Sequence, residues 1–512
     1  MKHRDSLFKL IHSLSKNEKG YFKKYMSRYS FNADTRLVKL FDAIEKQEEY
    51  DEIKLKKLFE GDNIVKHLSV SKNHLHQSIL ESLRSYHKDV SVEVKLCNML
   101  HDVEILLRKT LYNDCMDVLN KAKALAIRCQ RYSMLLEIYS YIFRINTMQR
   151  KDRNDFSPIA NKDYHSQLHA LQQQRKLVEL RVLLSKIYYI ANSYIVQDKE
   201  SKKQLIKLLD QAYEMQKDTE LPVSGTIYIY SAMSAIYSFY LGDVHKGYLI
   251  NKEYLAFWDA HPEIIEDENQ TNYINCLNNF MSTLMRLGKY NEYKAQLKRL
   301  DMLPVNSELT KVRKLEVSAL CETMYFIKTV KIQEGIKYIE QVEKDIEEIS
   351  GYSNRSTLLA TYDNCAIIYF LDENYSRALY FSNKIINDKT NIRYDMKCFH
   401  QVFNLAIHYE MKNIDYLEHA VKLSQKYLKA QENSFKFIEV VINFFKQAPF
   451  IRSLKDEREE FVKLKTRLDI ILTDAHELSA NEYFNFSTWA ESKMEKHSLI
   501  ELVRENALKS GT

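Results

Sequence analysis

Glycine and proline are nearly missing from this chain, at 9 and 5 in 512 residues. Average usage of about 7% and 5% would supply about 60 of them, and without them there is little material for tight turns. The backbone must therefore run as helix almost throughout. Three of the prolines, Pro222, Pro262 and Pro304, stand 40 and 42 residues apart, the spacing of breaks in a repeating unit. The expected fold is all-α: a right-handed α-solenoid of antiparallel helical hairpins with a period of about 40, preceded by a small N-terminal helical module.

A 45% apolar content can bury a large interior, and stacked repeats would share it as one continuous core. The formal charge of +6 is unevenly placed, because residues 1–95 hold 19 Lys and Arg against 14 Asp and Glu. The seven cysteines (Cys97, Cys115, Cys129, Cys276, Cys321, Cys365 and Cys398) are odd in number, and no two form a Cys-x-x-Cys pair. That argues against a disulfide framework or a zinc site and for a reducing cytoplasm. Lys2, Arg4, Asp5 and Lys9 interrupt the first apolar residues, so no secretory signal is expected. Leu221 to Gly242 is 22 residues long without a formal charge, but it includes Pro222, Gly225 and several serines. It is read as a buried repeat helix, and no membrane partner is expected.

Three parts follow along the chain: a basic helical module at 1–95, a repeat region at 96–475 and C-terminal capping helices at 476–512. In the module, Leu7, Leu10, Ile11 and Leu14 stripe one helix face, and Ser15 with Glu18 has the form of a capping box for the next helix. Patterns at Leu37–Ile44, Ile53–Phe59 and Ser69–His87 add three more helices. Downstream, turns are expected at 241–243, 287–290, 329–332, 371–375 and 411–414, roughly 39 to 46 residues apart. Shortly after each turn a column of mostly small residues recurs, Gly247, Tyr293, Gly335, Ala378 and Leu417, where two helices approach closely. A loop is expected at 149–158, two helices between Tyr164 and Val196, and one long helix carrying Leu454, Phe461, Leu464, Leu468 and Ile471.

Tyr362, Ala366, Tyr369, Tyr375 and Ala378 place an aromatic and a small residue before a turn, and an aromatic and a small residue after it. This resembles the tetratricopeptide repeat. Residues Leu111 to Cys115, with Val118, Leu119, Ala122 and Leu125, resemble the second half of the same unit. The spacing is nearer 40 than the family's 34, and its Trp-Leu-Gly start is absent. Longer helices, as in HEAT-type or peptide-sensor solenoids, fit the spacing equally well. The resemblance implies a binding scaffold whose concave face takes a peptide or protein.

Reaction chemistry finds little support in the residues. Nine glycines, the closest pair being Gly242 and Gly247, supply neither a dinucleotide fingerprint nor a phosphate loop. His74 and His76 are two apart and point away from each other on a helix, and no sequence motif sets an acid against a base. No catalytic residue, metal or cofactor is expected. The partner is expected to be a protein or peptide, met by tyrosines on first helices: Tyr237, Tyr325, Tyr369 and Tyr409. The alternative is a nucleic-acid-binding regulator, in which the repeats sense a ligand. It would use Lys19, Lys23, Lys24 and Arg28 on one basic helix face, with Lys72 on the fifth helix.

Overall fold

The computed structural model describes residues 6–29, 34–61, 66–88, 91–149, 157–192, 199–218, 220–267, 269–305, 307–351, 353–390, 392–429, 436–473, 477, 484–494 and 497–510. Helix takes up 85%, and there is no strand among the described residues, which makes the protein all-α. The chain divides into two compact units, Met1–Lys176 and Leu177–Thr512.

The first unit opens with five short helices, α1 (Ser6–Ser13), α2 (Lys16–Tyr29), α3 (Asp34–Glu45), α4 (Glu52–Leu58) and α5 (Leu68–Tyr86). The capping box forms as read: the Ser15 N–H donates to Glu18 Oε2 at 2.7 Å, and the Glu18 N–H donates to Ser15 Oγ at 3.3 Å. Ile11, Phe22, Leu40, Phe41, Leu75 and Ile79 close a core of their own. A separate core, around Leu96, Val103, Leu119 and Ile138, belongs to α6 (Val92–Arg108), α7 (Tyr112–Arg128) and α8 (Tyr132–Met148).

The division between the units falls inside α9 (Ser157–Asn192). Two helices were expected from Tyr164 onward, but one continuous helix reaches Asn192, because no glycine or proline in that stretch stops it. Its expected continuation to Val196 and most of the expected loop at 149–158 lie outside the described residues.

The second unit continues through α10 (Lys199–Gln216), α11 (Val223–Ala235), α12 (Val244–Ala260), α13 (Pro262–Asp267), α14 (Gln270–Arg286), α15 (Tyr290–Met302), α16 (Glu308–Lys328) and α17 (Ile332–Ile349). It ends with α18 (Arg355–Leu371), α19 (Tyr375–Ile386), α20 (Tyr394–Glu410), α21 (Ile414–Lys429), α22 (Lys436–Gln447), α23 (Leu454–Ile471), α24 (Phe486–Met494) and α25 (Leu499–Ser510). From α10 onward each helix packs on the next in sequence, and α11, α14, α16 and α18 also pack on one another in that order. Pro222 caps α11 and Pro262 opens α13, so these breakers stand at helix boundaries. The charge-free stretch from Leu221 folds as α11 and the π turn Ile236–Tyr240, with Ile227, Ile229 and Met233 buried. Among the described residues no helix is long and apolar enough to cross a membrane.

One turn geometry recurs. Thr110, Gln130, Gly242, Gly288, Val330, Glu373 and Lys412 all have φ between 53° and 69°, the left-handed region in which a helix commonly ends. Each of the five turns read from the sequence holds one of them. In six of the seven, the next residue's N–H donates to the carbonyl five back, as from Lys289 to Leu284 at 2.9 Å and from Asn374 to Tyr369 at 2.9 Å. Five positions after the left-handed residue stands the expected column, and all its members are buried. A Cβ on Gly335 would lie 3.1 Å from the Phe326 Cβ and 3.2 Å from Ile368 Cδ1, so any larger residue there requires its neighbours to give way. Tyr293 fits because its ring reaches onward, and its O–H donates to the Cys321 carbonyl at 2.7 Å.

Candidate partner-binding surface

The tyrosines assigned to a partner are interior side chains. Tyr237, Tyr325 and Tyr369 are buried: Tyr325 stacks on Tyr293 with ring centres 5.8 Å apart, and Tyr369 on Phe381 at 5.8 Å. Cations of the chain itself cover them, with Lys246 Nζ 4.3 Å from the Tyr237 ring centre, Lys294 Nζ 5.4 Å from that of Tyr325, and the Arg377 guanidinium 5.2 Å from that of Tyr369. Tyr409 is half-buried among Phe444, Phe445, Phe461 and Trp489, and its O–H donates to Glu457. A place on a first helix does not fix the face, and the helix phase turns these rings inward.

Three of the five cations assigned to nucleic acid are already paired with carboxylates. Lys19 lies 3.2 Å from Glu45, Lys23 2.8 Å from Asp42, and Lys72 2.8 Å from Glu52. Lys24 is exposed, and the Arg28 side chain lies outside the described residues. The basic face is thus partly a seam that ties α2 to α3 and α5 to α4.

Hydrogen bonds from Lys72 and then Lys56 hold the Glu52 carboxyl down to about 2, below its ordinary 4.5, while burial acts the other way. A carboxyl depressed in the folded state stabilises above its unfolded pKa, and that contribution is lost as pH falls through the folded value. Water reaches both partners, with 17% and 29% of the side chains exposed, so solvent screening leaves about 1 kcal/mol. Between pH 4.5 and 2 the full chain is expected to lose that much hydrogen-exchange protection across α4 and α5, and Glu52→Gln should flatten the loss. Equal pH slopes in the two proteins would show that the pair carries no such contribution.

Helix packing sets an acid against a base where no motif announced one. His400 Nε2 lies 3.0 Å from Asp363 Oδ1, and its Nδ1 lies 2.7 Å from Ser382 Oγ. These residue types form the chain of a nucleophilic hydrolase, but Ser382 and His400 are fully buried and Asp363 nearly so. A substrate has no way to the hydroxyl. The chain works as a polar tie among α18, α19 and α20.

An accessible feature of the second unit is a groove beside α9. Leu180, Leu184, Ile187 and Ala191 follow alternating steps of four and three residues and join Leu205, Leu209 and Ala212 of α10 in the core. Val178, Val182, Ser185 and Tyr189 advance by steps of four, three and four, about 150° further round the helix. There Val178, Val182 and Tyr189 stay 47%, 52% and 79% exposed. Between this second seam and α10 lies an open groove of about 890 Å³. Val178, Val182, Tyr189, Ile190 and Leu208 form its apolar wall, and Arg181, Ser185, Lys186 and Gln204 bring the polar groups. Scattered apolar residues on a surface are ordinary, whereas a contiguous row rimmed by polar groups marks an interaction site.

No protein-family model matches the chain, and no curated protein matches it in sequence. The reading of the groove therefore rests on its own geometry. The helical steps of Val178, Val182 and Tyr189 were visible in the sequence. Two such rows on one helix together resemble the all-round apolar pattern of a buried helix, which hides the exposed one.

Proposed function

We propose that the chain is a non-enzymatic scaffold of tetratricopeptide-like hairpins with a period of about 40, wound as a right-handed superhelix, that binds a protein or peptide partner in the cytoplasm. The observation carrying this reading is the exposed Val178, Val182 and Tyr189 row beside an open groove. Apolar anchors at helical steps suit a helix laid in a groove better than a small molecule, which is ordinarily enclosed on most sides. Seven cysteines without a disulfide suit a reducing compartment. The pairing of Lys19, Lys23 and Lys72 with carboxylates weighs against nucleic acid as the main partner.

The test is quantitative affinity purification of the full chain from its native host, comparing the wild type with Val182→Asp plus Tyr189→Ser. Both substituted side chains are exposed, so the variant should keep its helical circular dichroism while losing at least one specific protein partner tenfold or more. A triple change of Lys19, Lys23 and Lys24 to Glu should leave that capture intact. If no captured protein depends on the groove, or if capture depends on the lysines and is sensitive to nuclease, the reading fails.

A further inference from the structure

We infer that the occupant of the α9–α10 groove is an acidic amphipathic helix of another protein. The inference rests on the scaffold reading above and adds the chemistry of the partner. Two observations carry it.

The first is spacing. Val178, Val182, Ser185 and Tyr189 advance by four, three and four residues along one helix face, the seam onto which a second helix packs side by side. Leu208 on α10 faces the same groove and supplies a second wall. An incoming helix would therefore lie between two helices and bury its apolar stripe on both.

The second is charge. Both charged groups that line the groove, Arg181 and Lys186, are cations, and among the described residues no carboxylate pairs with either. Arg181 precedes Val182 by one residue, and Lys186 follows Ser185 by one. The two cations thus flank the seam in the positions that choose a partner by charge in paired helices. A helix carrying Glu or Asp beside its apolar stripe meets both cations; one carrying Lys or Arg meets like charge. The same argument disfavours a second copy of this groove as the occupant, because Arg181 and Lys186 would then face cations of their own kind.

The experiment uses the full chain and two fluorescent 21-residue model helices with the same Leu and Ile stripe, one flanked by Glu and one by Lys. By anisotropy at low salt the Glu peptide should bind at least tenfold more tightly than the Lys peptide, and 0.5 M salt should erase most of that preference. Arg181→Glu with Lys186→Glu should invert the preference, and Val182→Asp should abolish binding of both peptides. Equal binding of the two peptides, a preference that survives the charge reversal, or no measurable binding to the wild type overturns the inference. So does sedimentation showing a dimer that Val182→Asp dissociates, since the groove would then hold a second copy. A photo-crosslinker at Ser185 in the native host separates this inference from the scaffold reading. A cross-linked acidic segment supports both, a basic or uncharged one sinks only the acidic helix, and capture that never depends on Val182 sinks the scaffold reading itself.

Discussion

Trp489→Ala is expected to destabilise the second unit by about 3–5 kcal/mol, the usual cost of deleting a large aromatic from a packed core. Trp489 is fully buried in α24, and its ring centre lies 5.3 Å from that of Phe461, 5.9 Å from Phe445, 6.0 Å from Tyr409 and 6.1 Å from Phe486. Its indole N–H donates to Glu410 Oε1 at 2.6 Å, and Lys493 Nζ lies 2.7 Å from the other oxygen of that carboxylate. Removing the ring opens a cavity and takes a hydrogen-bond donor from a nearly buried acid. In a unit this large the melting temperature should fall by about 5–10 °C. Trp489→Phe, which keeps a ring but not the N–H, should recover most of that. The remaining tryptophan, Trp258, is also fully buried and still reports unfolding by its fluorescence. A melt within about 2 °C of wild type would mean that α24 is no part of the core.

His400→Leu should cost about as much, for a different reason. The imidazole touches Asp363 and Ser382 and sits among the rings of Phe399 and Phe403, with centres 5.3 and 5.6 Å away. Leucine fills part of the space but leaves a buried carboxyl with nothing to answer it, and breaking such a pair on one side typically costs 3–5 kcal/mol. Replacing both partners removes the group that needs answering. The double change Asp363→Leu with His400→Leu is therefore expected to be more stable than His400→Leu alone, as read by chemical denaturation of the full chain. If the double variant is weaker by the sum of the two single losses, the two side chains do not act as a pair.

The class of fold was legible because breakers are scarce and Pro222 and Pro262 sit at helix boundaries. Pro222 and Pro262 needed no tertiary information to be read as ends of helices. The turns were legible as polar interruptions, though not in their geometry: Val330, Glu373 and Lys412 adopt a left-handed backbone that their side chains do not favour. The tyrosines were misplaced because membership of a first helix does not say which face a residue occupies. Neighbouring helices decide that, and here they enclose Tyr237, Tyr325 and Tyr369. Asp363, Ser382 and His400 come from three helices, so their meeting is a product of packing and leaves no local pattern. Val178, Val182 and Tyr189 do leave one, a second helical row on a helix that already carries a buried one. Separating the two requires knowing where α10 lies.

The shared backbone state of Gly288, Val330 and Glu373 also makes the chain divisible in a regular way. A cut made just after one of these residues and closed just after the next begins and ends in the same conformation, so the splice asks nothing new of the main chain. Removing 289–330 would join Gly288 directly to Lys331, which already follows a left-handed residue at Val330. The number of hairpins is thus a quantity that the turns leave free. What holds it at its present value is the matching of side chains across the seam, where Phe326 and Ile368 close tightly on Gly335.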